Sequence, residues 1–201
     1  MSDNDKWVWA SDDEPIPALF RPEPSTSKTD TGLRLDLMAP GAAKTPAASA
    51  SLGKAVALHL EGKTEVALKE LAAAIDGGEN LAELHAAMGH IQFELQRFDD
   101  AAKSYLKAAQ TDPKDKTASY NRGVCLERLE RWPDAVGAFQ RALEMDPKRI
   151  EARLGLGICF LHTGACAKAL DAFEQCLKAK ADFEPAQFGK AVALHLAGKA
   201  V

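Results

Sequence analysis

Gly53 to Leu60 reads GKAVALHL, and the same eight residues return as Gly189 to Leu196. The offset is 136, four times 34, and the intervening chain keeps that beat. Gly89, Gly123 and Gly157 are 34 apart, as are Ala101, Ala135 and Ala169, and the aromatics Tyr105, Phe139 and Phe173. Asp112-Pro113 and Asp146-Pro147 keep step as well. Four independent registers sharing one period mark a repeat array rather than a globular fold with a single centre.

The composition around this core narrows the function classes. The chain has 201 residues, of which 46% are hydrophobic, 27% charged and 6% aromatic, with a formal charge of -4. Nucleic-acid binders and polybasic membrane-surface proteins need an excess of Lys and Arg to hold phosphate, so neither is expected. No apolar run approaches the roughly 18 residues of a membrane span. The acidic start, with Asp3, Asp5, Asp12, Asp13 and Glu14 against Lys6, is the reverse of a secretory signal. Cys125, Cys159, Cys166 and Cys176 form no C-x-x-C pair, which fits a reducing, cytoplasmic compartment.

Residues 1–47 differ from the rest. They hold six of the ten prolines and eight acidic against five basic residues, without helical periodicity. They read as a disordered or extended tail. Its apolar islands, Trp7 to Trp9, Ile16 with Leu19 and Phe20, and the alternating Leu33, Leu35 and Leu37, are candidate docking motifs for a partner or for the chain's own groove.

From residue 48 the pattern resembles the tetratricopeptide repeat family, whose unit is 34 residues of helix, turn and helix. Units fall at 48–81, 82–115, 116–149 and 150–183, with a partial one at 184–201. The second and third match best, with Gly89, Ala101, Tyr105, Ala108 and Pro113, then Gly123, Ala135, Phe139, Ala142 and Pro147. The fourth keeps Gly157, Ala169 and Phe173 but has Cys176 for alanine and Ala181 for proline. The first diverges most, with Ala55 for glycine, Leu71 for the aromatic and Glu79 for proline. The resemblance implies an all-α, right-handed α-solenoid. Packing physics points the same way: Gly123 and Ala135 let two helix backbones approach, and Phe139 fills the space toward the next unit. Gly62, Gly164 and Gly198 recur where a first helix needs a left-handed cap, and Pro133 suits the start of a second helix.

In the family, positions 2, 5, 9, 12 and 13 of each unit point into the concave groove. Carried over, they place Leu52, Val56 and His59 there from the first unit, and Glu83, His90 and Phe93 from the second. The third supplies Tyr120, Val124, Glu127 and Arg128, the fourth Leu154, Ile158 and His162, and the fifth Phe188. Family members that clamp a chaperone's terminal carboxylate use Lys, Asn and Arg on these helices. Here Leu52, Val56, His90, Tyr120 and Val124 stand instead, so an extended or helical peptide with apolar anchors is the expected ligand.

All five histidines fall on first helices. His85 and His90 are five apart rather than three or four, and neither a cysteine nor a carboxylate completes a local set, so no metal or cofactor is expected. No phosphate loop, nucleophile elbow or paired-carboxylate motif appears, and a non-enzymatic protein-interaction scaffold is the leading reading. The alternatives are an amino-terminal targeting region of a larger glycosyltransferase or methyltransferase, and a chaperone for hydrophobic secretion substrates. The final helix resembles an internal unit, which suggests a fragment of a longer protein or self-association through that helix.

Overall fold

A computed structural model describes residues 46–79 and 81–199. The tail reading for residues 1–47 thus lies outside the described residues, apart from Pro46 and Ala47. Among the described residues there are nine helices and no strand. They run α1 (Pro46–Leu60), α2 (Thr64–Asp76), α3 (Ala82–Glu94), α4 (Phe98–Thr111), α5 (Ala118–Arg128), α6 (Trp132–Met145), α7 (Ile150–His162), α8 (Cys166–Ala179) and α9 (Glu184–Lys199). Each packs on its immediate neighbours in the chain, and first helices also stack on one another, α1 on α3, α5 on α7 and α7 on α9. The result is an all-α solenoid of helix-turn-helix units.

The two helix types differ as this stacking demands. Second helices have one wet face, as in α4, where Asp99, Asp100, Lys103 and Lys107 are exposed while Ala101, Ala102, Tyr105 and Ala108 are buried. First helices are covered on two sides, so α7 reads as a nearly continuous apolar run, IEARLGLGICFLH. Three cysteines serve this packing: Cys125, Cys159 and Cys176 are fully buried and act as small apolar side chains. Burial pushes the Cys125 thiol up to about 12 and the Cys176 thiol up to about 11, which keeps both unreactive.

At the last two junctions a large side chain on the second helix lies between glycines of two successive first helices. A Cβ on Gly123 would come 2.7 Å from the Phe139 ring, and one on Gly155 would come within 2.6 Å of its other edge. Phe173 is held the same way by Gly157 and Gly189, at 2.7 and 2.5 Å. The expected closeness at Gly123 is therefore real, and it has a second half, contributed by the following unit.

The turn between the helices of a unit repeats one backbone device. Gly62 and Gly164 have φ of 79° and 73°, and the amides of Lys63 and Ala165 donate back to the Leu58 and Phe160 carbonyls. These are the paired bonds of a left-handed helix cap. Gln96 and Glu130 fill the same places in the second and third units at φ 58° and 56°, with Arg97 and Arg131 donating to Gln92 and Leu126. A side chain there costs roughly 1–2 kcal/mol in backbone sterics. Gly198 does not follow the pattern: α9 continues through it to Lys199, so the expected cap is absent. Pro133 sits in the first turn of α6, as its fixed dihedral favours. After α4 and α6 the repeated Asp-Pro makes a second turn, in which Asp112 Oδ1 accepts from Lys114 N at 3.0 Å and Asp146 Oδ1 from Lys148 N at 3.2 Å.

Candidate peptide groove

Of the fourteen side chains expected in the groove, eleven are half-buried: Leu52, Val56, His59, Glu83, Val124, Glu127, Arg128, Leu154, Ile158, His162 and Phe188. They lie on α1, α3, α5, α7 and α9, the first helices of their units. Partial exposure is what a ligand-accessible apolar face requires, since a fully buried residue has no surface left to offer.

Three others, His90, Phe93 and Tyr120, are buried, at 7%, 5% and 5% exposure. Phe93 turns its ring edge to Phe98 at 5.2 Å, and both rings belong with the Phe139 cluster. Tyr120 packs on Phe139 at 6.0 Å, and the Arg149 guanidinium caps its ring at 4.1 Å. Desolvation pushes the Tyr120 phenol up to about 12 even though Arg149 pulls it down. Phe93 and Tyr120 therefore seal one unit against the next. His162 is partly committed too, stacked flat on Trp132 at 3.8 Å with 3° between the planes. Trp132, which opens α6, drew no attention in the sequence because its position carries no repeat signature.

Charge on this face is concentrated at two places. Glu127 is half-buried, and desolvation raises its carboxyl to about 7 against the opposing pull of Arg128. The same burial lowers the Arg128 guanidinium. At the first junction, His59 Nε2 lies 3.0 Å from Glu94 Oε2, and His90 Nε2 lies 3.2 Å from Glu94 Oε1. Desolvation lowers the His90 imidazole below its usual range, with Glu94 opposing and His59 reinforcing. This corrects the reading that no carboxylate completes a histidine set: Glu94 is four residues from His90, and stacking of α1 on α3 adds His59. His85, the neighbour considered in the sequence, is not part of the group.

A separate cavity of about 510 Å³ is lined by Leu143, Leu156, Phe160 and Ala172 with Arg153 and Lys168 at its edge. None of the fourteen residues lines it. It opens between α6, α7 and α8, on the side of the second helices.

The sequence profile of the tetratricopeptide repeat matches residues 86–150 and 128–185. No curated protein sequence matches the chain. Among solved structures, the MamA protein superposes with a TM-score of 0.71 at 20% identity, over 75% of this chain and 82% of that one. YrrB, titled a TPR protein with an unusual peptide-binding site, gives 0.64 at 21% identity, over 72% of this chain and 75% of that one. The first TPR of Spaghetti (RPAP3), bound to the HSP90 peptide SRMEEVD, gives 0.54 at 19% identity, over 59% of this chain and 98% of that one. At such identities the likeness is one of fold, and with the 34-residue period and the profile match it means that the chain belongs to the tetratricopeptide repeat family.

Proposed function

We propose that the chain is a non-enzymatic interaction module that holds an extended or helical peptide of a protein partner along its first-helix face. The observation that carries this reading is the set of half-buried apolar side chains on α1, α5, α7 and α9, including Val56, Val124, Leu154, Ile158 and Phe188. Such a set offers pockets at regular spacing for apolar anchors, and the half-buried Glu127 adds a site for a cationic group on the peptide. Two structural neighbours, YrrB with its unusual peptide-binding site and the first TPR of Spaghetti (RPAP3) with its HSP90 peptide, support this class of ligand. The HSP90-type terminal carboxylate does not suit this face, because Leu52 and Tyr120 stand where a clamp needs Lys, Val56 and His90 where it needs Asn, and Val124 where it needs Arg.

Peptides selected from a display library on the full chain provide the test. Val124→Arg with Leu154→Arg is expected to weaken them at least about tenfold, roughly 1.4 kcal/mol, with helical content retained. Lys168→Glu, at the second-helix cavity, is expected to leave affinity unchanged. The opposite pattern moves the binding site to that cavity and refutes the concave assignment. A companion reading is self-association through α9, supported by Leu194 at 50% exposure. A monomer in light scattering at tens of micromolar removes it.

A further inference from the structure

We propose that His59, His90 and Glu94 form a binding site for one divalent transition-metal ion of the zinc class. The set is two imidazoles and one carboxylate, whose donor atoms all lie within 4.8 Å of one another. Donors around a tetrahedral zinc, each about 2.0–2.1 Å from the metal, stand about 3.4 Å apart. The two nitrogen-to-oxygen separations, 3.0 and 3.2 Å, are close to that edge length. The two imidazoles thus converge on one carboxylate, each facing a different oxygen of the half-exposed Glu94.

Two further observations point to a ligand rather than to a self-contained ion pair. The His90 side chain is 9% exposed, and its buried Nε2 makes no properly oriented hydrogen bond, although Glu94 is near. A buried ring nitrogen left in that state is costly unless something else takes its lone pair or its proton. His59 is oriented from behind, with Thr64 Oγ1 3.4 Å from Nδ1. A proton on Nδ1 shared with that hydroxyl leaves Nε2 free to ligate, the arrangement that metal-bound histidines need from their outer partners.

The group is also specific to one junction. Shifted by one, two and three units, the three positions become Phe93, Val124 and Arg128, then Glu127, Ile158 and His162, then Leu161, Val192 and Leu196. None of these supplies three donors, so the cluster is not a by-product of the repeat. With three protein ligands, a zinc ion keeps a fourth position for water or a ligand group. The proposal does not depend on the peptide reading, and its test does not involve a peptide.

The test uses the full untagged chain, stripped with a chelator and titrated with Co2+ alone. Visible absorption bands saturating at one Co2+ per chain, and bleached by Zn2+, are expected, with Zn2+ also raising the Tm. His59→Gln and Glu94→Gln, both at partly exposed positions, should each weaken Co2+ at least about tenfold. No saturable bands, or unchanged affinity in either folded variant, overturns the site. If a variant loses its helical signal, X-ray absorption of the Zn2+-loaded wild type decides. A shell of two imidazoles and carboxylate or water oxygens supports the assignment, and a shell containing sulfur or oxygen alone refutes it.

Discussion

The first unit and the third solve one packing problem with different side chains. In the third, the Phe139 ring lies between Gly123 and Gly155. In the first, the equivalent residue is Leu71, fully buried in a cluster with Ala55 and Ala87 at the two flanking positions. The second departs from both: Tyr105 faces Gly89, where an added Cβ would still keep 3.2 Å, with the polar Asn121 on its other side. Between the first unit and the third, the larger central side chain goes with the smaller neighbours, so the volume of three positions taken together sets the packing at these two junctions. The comparison teaches that the divergence of the first unit is compensated within its own packing.

The largest effect that would break this comparison is loss of the ring. Phe139→Ala should cost about 3–5 kcal/mol in chemical denaturation, because it vacates contacts with two units at once. Next comes crowding: Gly155→Leu places carbons where the ring already stands and should cost about 1–3 kcal/mol. The same volume argument predicts that Leu71→Phe costs about 1–3 kcal/mol alone and recovers most of it when combined with Ala55→Gly and Ala87→Gly. If the triple variant is no better than the single, the units are not interchangeable and the comparison fails.

Smaller effects concern the caps and one acid. Gln96→Gly relieves a left-handed side chain and should stabilise by about 0.5–1 kcal/mol, net of the added freedom of the unfolded chain. The matching change at Gly62, to Ala, should destabilise. The smallest effect is a trend with pH. Glu127 has a folded value of about 7, raised by burial above an ordinary 4.5. The native state therefore favours the protonated form, so this group's contribution to stability is complete below pH 4.5 and is lost as pH rises through 7. Glu127→Gln should flatten that part of the Tm-against-pH curve, whereas an unchanged slope assigns the titration elsewhere.

Period and residue size made the ring-and-glycine core readable in the sequence, because Gly123, Ala135 and Phe139 recur in register. Glycine also announced the caps at 62 and 164. It could not announce those at Gln96 and Glu130, where tertiary packing imposes the conformation on unsuited residues. At Gly198 the same signal misled, since glycine permits a left-handed turn without forcing one. Phe93 and Tyr120 were placed in the groove by analogy of position, yet each is large enough to reach past the face into the neighbouring second helix. The His59, His90 and Glu94 group is not legible from spacing within one helix, because stacking joins residues more than thirty apart.

Among the described residues the helices pack mainly on those one or two places away in the chain, and this has a kinetic consequence. Contacts of this kind close loops of about one or two units, so the entropy of loop closure stays small and formation can start at any well-packed pair. The ring-and-glycine junctions of the third and fourth units are the natural starting points, from which order spreads outward like a zipper. The aliphatic first unit, where α2 leans least on its successor, closes last and opens first.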